Sequence, residues 1–253
     1  MKNKVIDIGM YLVWICLGIF FAGYDLGMEI FPVFGEARVV GLGLMMVPML
    51  GIVYGPLYGS VGALIVAWVG QMLYPGIAFV GAYTFVIAPV VALSCGLIKK
   101  RNWFVALILG LLVIGYWLNL VQGVLDTGAM TLVFASSIVG FVVVAGVYGT
   151  DFTASNIYFV NVMGNLIIIL AGMNTGMLLA AALATQFYVL PSFMWQSMNL
   201  YTFLTLTYLY AFLGLLPVLL VRILLPMVGV RLGKEYYWNN FHSTHKRKHR
   251  LAK

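Results

Sequence analysis

Charge is what this chain has least of. Asp, Glu, Lys and Arg together make up 8% of its 253 residues, against about a quarter in an ordinary soluble domain. A water-soluble surface cannot be covered with so few charged side chains, so a free globular domain is excluded. Cysteine is scarce as well. Cys16 and Cys95 are isolated within apolar stretches, which excludes a disulfide framework or a CxxC redox motif and predicts two small buried hydrophobes. Histidine occurs only at His242, His245 and His249, all in the C-terminal tail. No HExxH, DDxxD or His/Asp cluster is present, nor a GxSxG elbow with a histidine inside the apolar stretches. Metalloprotease, carboxylate–metal and serine-hydrolase chemistry therefore lack their side chains. No carboxylate falls at the middle of an apolar run, which argues against a proton-driven pump. The chain is expected to be neither an enzyme nor a carrier of cofactors or metals.

What is present is apolar: 63% of the residues are hydrophobic, including 16 Phe, 15 Tyr and 6 Trp. Burial of that much apolar surface calls for lipid, and the length of the runs calls for helices, because only helices and closed barrels satisfy their backbone inside a bilayer. The expected fold class is all-α, a polytopic bundle of about eight transmembrane spans. Residues 1–230 form one membrane domain and 231–253 a basic tail.

The first span is expected over Ile6–Gly23, too long for a signal-peptide core and retained. A loop with Asp25, Glu29, Glu36 and Arg38 follows. The block Val39–Leu73 is too long for one crossing and carries Tyr54-Gly55-Pro56-Leu57-Tyr58-Gly59, a turn signal. It is divided into Val39–Tyr54 and Ser60–Leu73. Further spans are expected at Tyr83–Ile98, Trp103–Gln122, Ala129–Tyr148 (ending at Gly149-Thr150-Asp151) and Leu200–Val221. The stretch Ile157–Leu190 is either one tilted helix with an overhang or a helix broken near Gly172-Met173-Asn174-Thr175-Gly176.

Parity supports this division. With Lys2 and Lys4 on the cytoplasmic side, four spans bring Lys99-Lys100-Arg101 back to it, provided that the Gly55-Pro56 hairpin exists. Four more, with Ile157–Leu190 crossing once, leave both termini cytoplasmic. Thirteen of the 14 Lys and Arg residues then lie inside, with Arg38 alone outside, as the positive-inside rule demands. The net charge of +7 thus reflects topology and anionic lipid, the expected partner of the tail, rather than nucleic acid.

The outer side gathers the residues with binding chemistry: Asp25, Glu29, Glu36 and Arg38 in the first loop, Gln71 and Tyr83 at the second, Asn119, Gln122 and Asp126 at the third. Trp68, Tyr83, Trp117 and Trp195 fall at similar depth, either as an interfacial belt or as the rim of a substrate mouth. Asn161 and Asn165, four apart, share a helix face. They serve either as glue between helices or as a neutral wall for a small organic ligand. Gly172, Gly176, Ala180 and Ala184 repeat every fourth residue, as do Gly51, Gly55 and Gly59, and Gly18 with Ala22 makes a shorter pair. Each stripe is either internal packing or a docking face for another subunit.

The run Gly51-Ile-Val-Tyr-Gly55-Pro56-Leu-Tyr-Gly59-Ser-Val-Gly62 resembles the turn between spans two and three of the S components of energy-coupling factor transporters. The span with Ala88-Pro89, ending in Gly96-Leu-Ile-Lys-Lys-Arg, is similar to a later segment of that family, and the likeness covers about Met28 to Gly115. It implies a substrate-capture subunit for a vitamin or similar micronutrient, which binds near the outer face through the loops after spans one, three and five. It also implies a coupling transmembrane partner and two ATPases, which fits a chain with no ATP-binding motif. The family usually has six spans, against eight by parity here. A different reading of the same composition is a non-catalytic structural subunit of a larger membrane complex.

Overall fold

The computed structural model describes residues 2–33, 36–78, 81–121, 141–153, 158–188 and 200–221. These form a helical bundle. Helix α1 is Lys2–Ala22, and a hairpin of strands β1 (Asp25–Val33) and β2 (Glu36–Gly41) follows it. A 3-10 turn, Leu42–Met45, leads into α2 (Met46–Tyr54). Helix α3 is Pro56–Leu73, and 3-10 turns at Pro75–Ile77 and Gly81–Val86 precede α4 (Ile87–Lys99). Helix α5 is Trp103–Val121. Residues 141–153 form α6, with a π-helical segment at Ala145–Gly149. Helices α7 (Tyr158–Tyr188) and α8 (Leu200–Leu219) complete the bundle.

The turn expected at Gly55-Pro56 is there, tighter than anticipated. Helix α2 stops at Tyr54, Gly55 adopts φ +87°, and α3 begins on Pro56 rather than Ser60. Glycine tolerates that backbone, and proline is at home in a first helical turn because its missing N–H has no partner there anyway. The turn after α4 uses a different device. Arg101 takes φ +63°, its N–H donates to Ile98 O at 2.9 Å, and Asn102 N–H donates to Leu97 O at 2.9 Å. This pair of bonds satisfies two of the orphan carbonyls that end a helix.

Where α2, α3 and α4 meet, their backbones touch through glycines. A Cβ added to Gly59 would lie 2.6 Å from the Gly51 Cα, one on Gly96 would lie 2.6 Å from Pro56 N, and one on Gly51 would overlap the Ala92 carbonyl oxygen. The Ser60 hydroxyl adds bonds to the carbonyls of Pro56 (2.6 Å) and Pro89 (3.1 Å). Close backbone approach of this kind is how helices associate without a hydrophobic gain between them.

The bundle has an apolar core with a few polar side chains buried in it, and it is apolar outside as well. Ser94, Asn165, Asn174, Thr175 and Thr207 are buried. The exposed positions include Leu57, Val61, Ile65, Trp68 and Met72 on α3, Phe104, Ile108 and Leu112 on α5, and Tyr208, Phe212, Leu216 and Leu220 on α8. Each set recurs every three or four residues, a continuous apolar stripe facing away from the core. Among the described residues, three helical segments are long and apolar enough to cross a membrane: Pro56–Leu73, Ala82–Lys99 and Phe159–Leu183. Shorter apolar segments are Asp7–Ala22, Leu42–Tyr54, Trp103–Trp117 and Thr207–Leu219.

Several expectations change. The first loop is a β-hairpin, and Val39 belongs to β2 rather than to a span. Helix α7 runs unbroken for 31 residues, ~46 Å of helix. Gly172 to Gly176 are all buried within it, so packing, not a break, accounts for them. Helix α6 continues through Gly149-Thr150-Asp151 to Thr153 instead of ending there. The Thr150 hydroxyl donates back to Gly146 O at 2.9 Å, which satisfies it within the helix. Cys95 is buried as expected, but Cys16 is exposed on α1. Trp117, expected at the rim, is 1% exposed in the core, whereas Trp68 and Tyr83 are exposed; Trp195 lies outside the described residues.

Candidate functional site

The two ends of the bundle differ in chemistry. One end carries the Gly55 turn and the Lys99-Lys100-Arg101 turn, which lie side by side: the Lys100 Cε would be 3.0 Å from a Cβ on Gly55. Arg101 reaches the end of α6 and pairs with Asp151 at 3.1 Å, both side chains more than half exposed. The other end carries the hairpin. Gly41 packs on the Ala22 carbonyl and Ile77, Gly23 on the Tyr74 ring, and Trp68 stacks on Phe85 with ring centroids 6.1 Å apart.

Most candidate binding residues that are described sit at the hairpin end. Asp25 opens β1, its side chain exposed, in register with Gly41. Glu29 pairs with Val39, Arg38 with Phe31, and Glu36 with Val33 along the strands, with register shifts between Asp25 and Phe31. Gln71, half-buried, is in the last turn of α3, and Tyr83, 43% exposed, is in the following 3-10 turn. Helix α5 starts from the basic turn, so exposed Asn119 near its far end belongs to the hairpin end too. Gln122 and Asp126 lie outside the described residues.

Asn161 and Asn165 are not part of this group. They sit in the first turns of α7, which follows α6 and its Arg101–Asp151 pair, and so belong to the basic-turn half. There they bond to each other: Asn165 Nδ2 donates to Asn161 O at 2.9 Å and to Asn161 Oδ1 at 2.8 Å.

The small-residue stripes are used inside the chain. A Cβ on Gly172 would overlap the Cys95 sulfur and one on Gly176 the Val91 side chain, so this face of α7 lies on α4. The Cys95 thiol donates to the Ile168 carbonyl at 3.6 Å across the same seam. Ala180 is buried further along α7, and Ala184 lies one turn beyond it in the same helix. Gly18 meets Val66, and Ala22 backs on Gly43 and Gly70, seating α1 on α3 and on the 3-10 turn before α2. These glycines are covered by neighbouring elements of the chain itself.

One residue escapes a reading of the sequence. The Tyr210 hydroxyl, in the middle of α8, donates to the Val40 carbonyl at the base of the hairpin. Tyr210 is 2% exposed and Thr207, a turn earlier, 1%. The partners are 170 positions apart, and the only signal in the sequence is a run of Thr and Tyr within an otherwise aliphatic helix. The hairpin end thus combines a carboxylate, an amide, exposed aromatics and a strand pair anchored from α8. Such a mixture can hold a small solute with both polar and apolar parts. No family model matches the chain, and no curated protein or solved structure matches it either.

Proposed function

We propose that this chain is a multi-pass subunit of the cell membrane, with eight spans and both termini cytoplasmic, that captures a small solute at the hairpin end. The observation carrying this reading is the polarity of the bundle. Asp25, Gln71, Tyr83 and Asn119 gather at one end, with the strands that bear Glu29, Glu36 and Arg38. Lys99, Lys100 and Arg101 gather at the other. Apolar stripes lie between them on the outside of the helices. Cations at one end and binding chemistry at the other are what a solute receptor facing outward requires.

The resemblance to the S components of energy-coupling factor transporters supports a vitamin-like solute, with transport energised by a coupling transmembrane subunit and ATPases. The alternative, a structural subunit of a larger complex, drew on glycine stripes that are filled here by the chain's own helices, so we prefer capture. The test is thermal unfolding of detergent-purified protein across a panel of vitamins and related micronutrients. A true ligand at a hundredfold excess over its Kd is expected to stabilise by about 2.7 kcal/mol. A flat response to the whole panel, with no small molecule co-purifying, refutes capture.

A further inference from the structure

A two-stranded sheet standing alone is marginal in water, yet this hairpin is pinned at its base from two directions. On one side Leu42 N–H donates to the Tyr24 carbonyl at 2.7 Å, closing the strands against the end of α1. On the other the Tyr210 hydroxyl of α8 donates to the carbonyl of Val40, next to the last residue of β2. The second bond is buried. A buried donor that loses its acceptor bears the full cost of its desolvation, so β2 and α8 either stay together or part far enough for both groups to meet water.

We propose that Tyr210 is a clasp: the hairpin stays paired and seated while this hydroxyl holds Val40, and opens from its base when α8 draws away. Helix α8 is built for such a movement. Pro217, seven residues beyond the clasp inside the same helix, withholds an N–H from the backbone ladder and weakens the helix there. On the other side of the clasp ~15 Å of helix runs back to Leu200. Motion of α8 about Pro217 would therefore reach the hairpin through this hydroxyl and through the Leu42–Met45 turn, where Gly214 of α8 lies close to the Met45 carbonyl. The inference concerns the opening of the hairpin and stands whether or not a solute is captured.

Arg38 lies within β2 opposite Phe31, and trypsin cuts a paired strand only after it opens, at a rate set by the population of the open form. The experiment uses the full-length protein in lipid nanodiscs. Cleavage after Arg38 is followed by mass spectrometry, with cleavage at the Lys99–Arg101 turn as an internal reference. Tyr210→Phe removes only the hydroxyl, and cleavage at Arg38 is expected to accelerate about 2- to 10-fold relative to that reference. An unchanged ratio overturns the clasp. Should the variant fail to assemble, amide hydrogen exchange on the wild-type protein decides. Strand amides that exchange together and slowly support a fastened hairpin, whereas exchange at the rate of an unstructured peptide overturns it. Ligand stabilisation is scored separately, so failure of the clasp and failure of capture are distinguishable.

Discussion

Two glycines on different helices show how position decides the value of a missing side chain. At Gly51 an added Cβ would run into the Ala92 carbonyl, which is backbone and cannot swing aside. Gly51→Ala is expected to cost about 1–3 kcal/mol, because α2 and α4 must separate to admit the methyl. Gly115 on α5 has nothing within 4 Å of the same point. Gly115→Ala is expected to be neutral or to stabilise by up to ~1 kcal/mol, through the better helix propensity of alanine. Reversible unfolding in mixed detergent, measured on the two variants side by side, checks the contrast; equal effects would mean that the helices do not touch at Gly51. Sequence spacing alone could not separate these sites, since what matters is which backbone lies opposite.

At the scale of elements, the turn between α4 and α5 sets two effects against each other. A side chain at φ +63° is strained by about 1–2 kcal/mol relative to glycine, and Arg101 bears that strain. Its return is an ion pair with Asp151 on α6 that is largely exposed, worth ~0–1 kcal/mol. Arg101→Gly should therefore leave stability unchanged or slightly raised, while Arg101→Val, which adds β-branched crowding to the strain and loses the pair, should lower it. A melt in which Arg101→Gly is clearly less stable than the wild type would show that the ion pair, and not the backbone, dominates the turn. The elements themselves were unevenly legible. Gly55-Pro56 announced a turn because both residues have strong backbone preferences. Asp25–Gly41 did not announce a hairpin, because Val39 and Val40 are as apolar as the span they were assigned to. Gly172, Asn174 and Gly176 suggested a broken α7, yet α4 packs against both glycines and the helix passes straight through.

For the molecule as a whole, the proposed eight-span arrangement makes a directional prediction. In a background without Cys16 and Cys95, Glu36→Cys is expected to react with an impermeant maleimide added to intact cells. Lys100→Cys is expected to react only after the membrane is opened. Labelling of Lys100→Cys from outside would invert the bundle and put the hairpin in the cytoplasm. The broad class was readable because it follows from summed composition: scarce charge, long apolar runs and cations in three groups. The site was readable only in part. Asp25, Gln71, Tyr83 and Asn119 are near chain turns, where their shared end follows from counting spans. Asn161 and Asn165 lie in the other half of the bundle, which a shared helix face could not reveal, and Tyr210 stayed hidden because its partner is 170 positions away.

The lengths of the helices have a consequence for the lipid around them. From Leu42 to Tyr54 the apolar stretch is 13 residues, ~20 Å along its axis, while α7 has 31 residues in the same bundle. A hydrocarbon layer of uniform depth, ~30 Å, cannot match both. Met46 to Val53 of α2 are all buried, so the mismatch falls on the helices that surround it and is met by lean of the whole body or by overhang of α7. The thermal stability of the protein reconstituted across phosphatidylcholines of increasing acyl-chain length should consequently pass through an optimum, and the protein should favour bilayer regions whose thickness suits it.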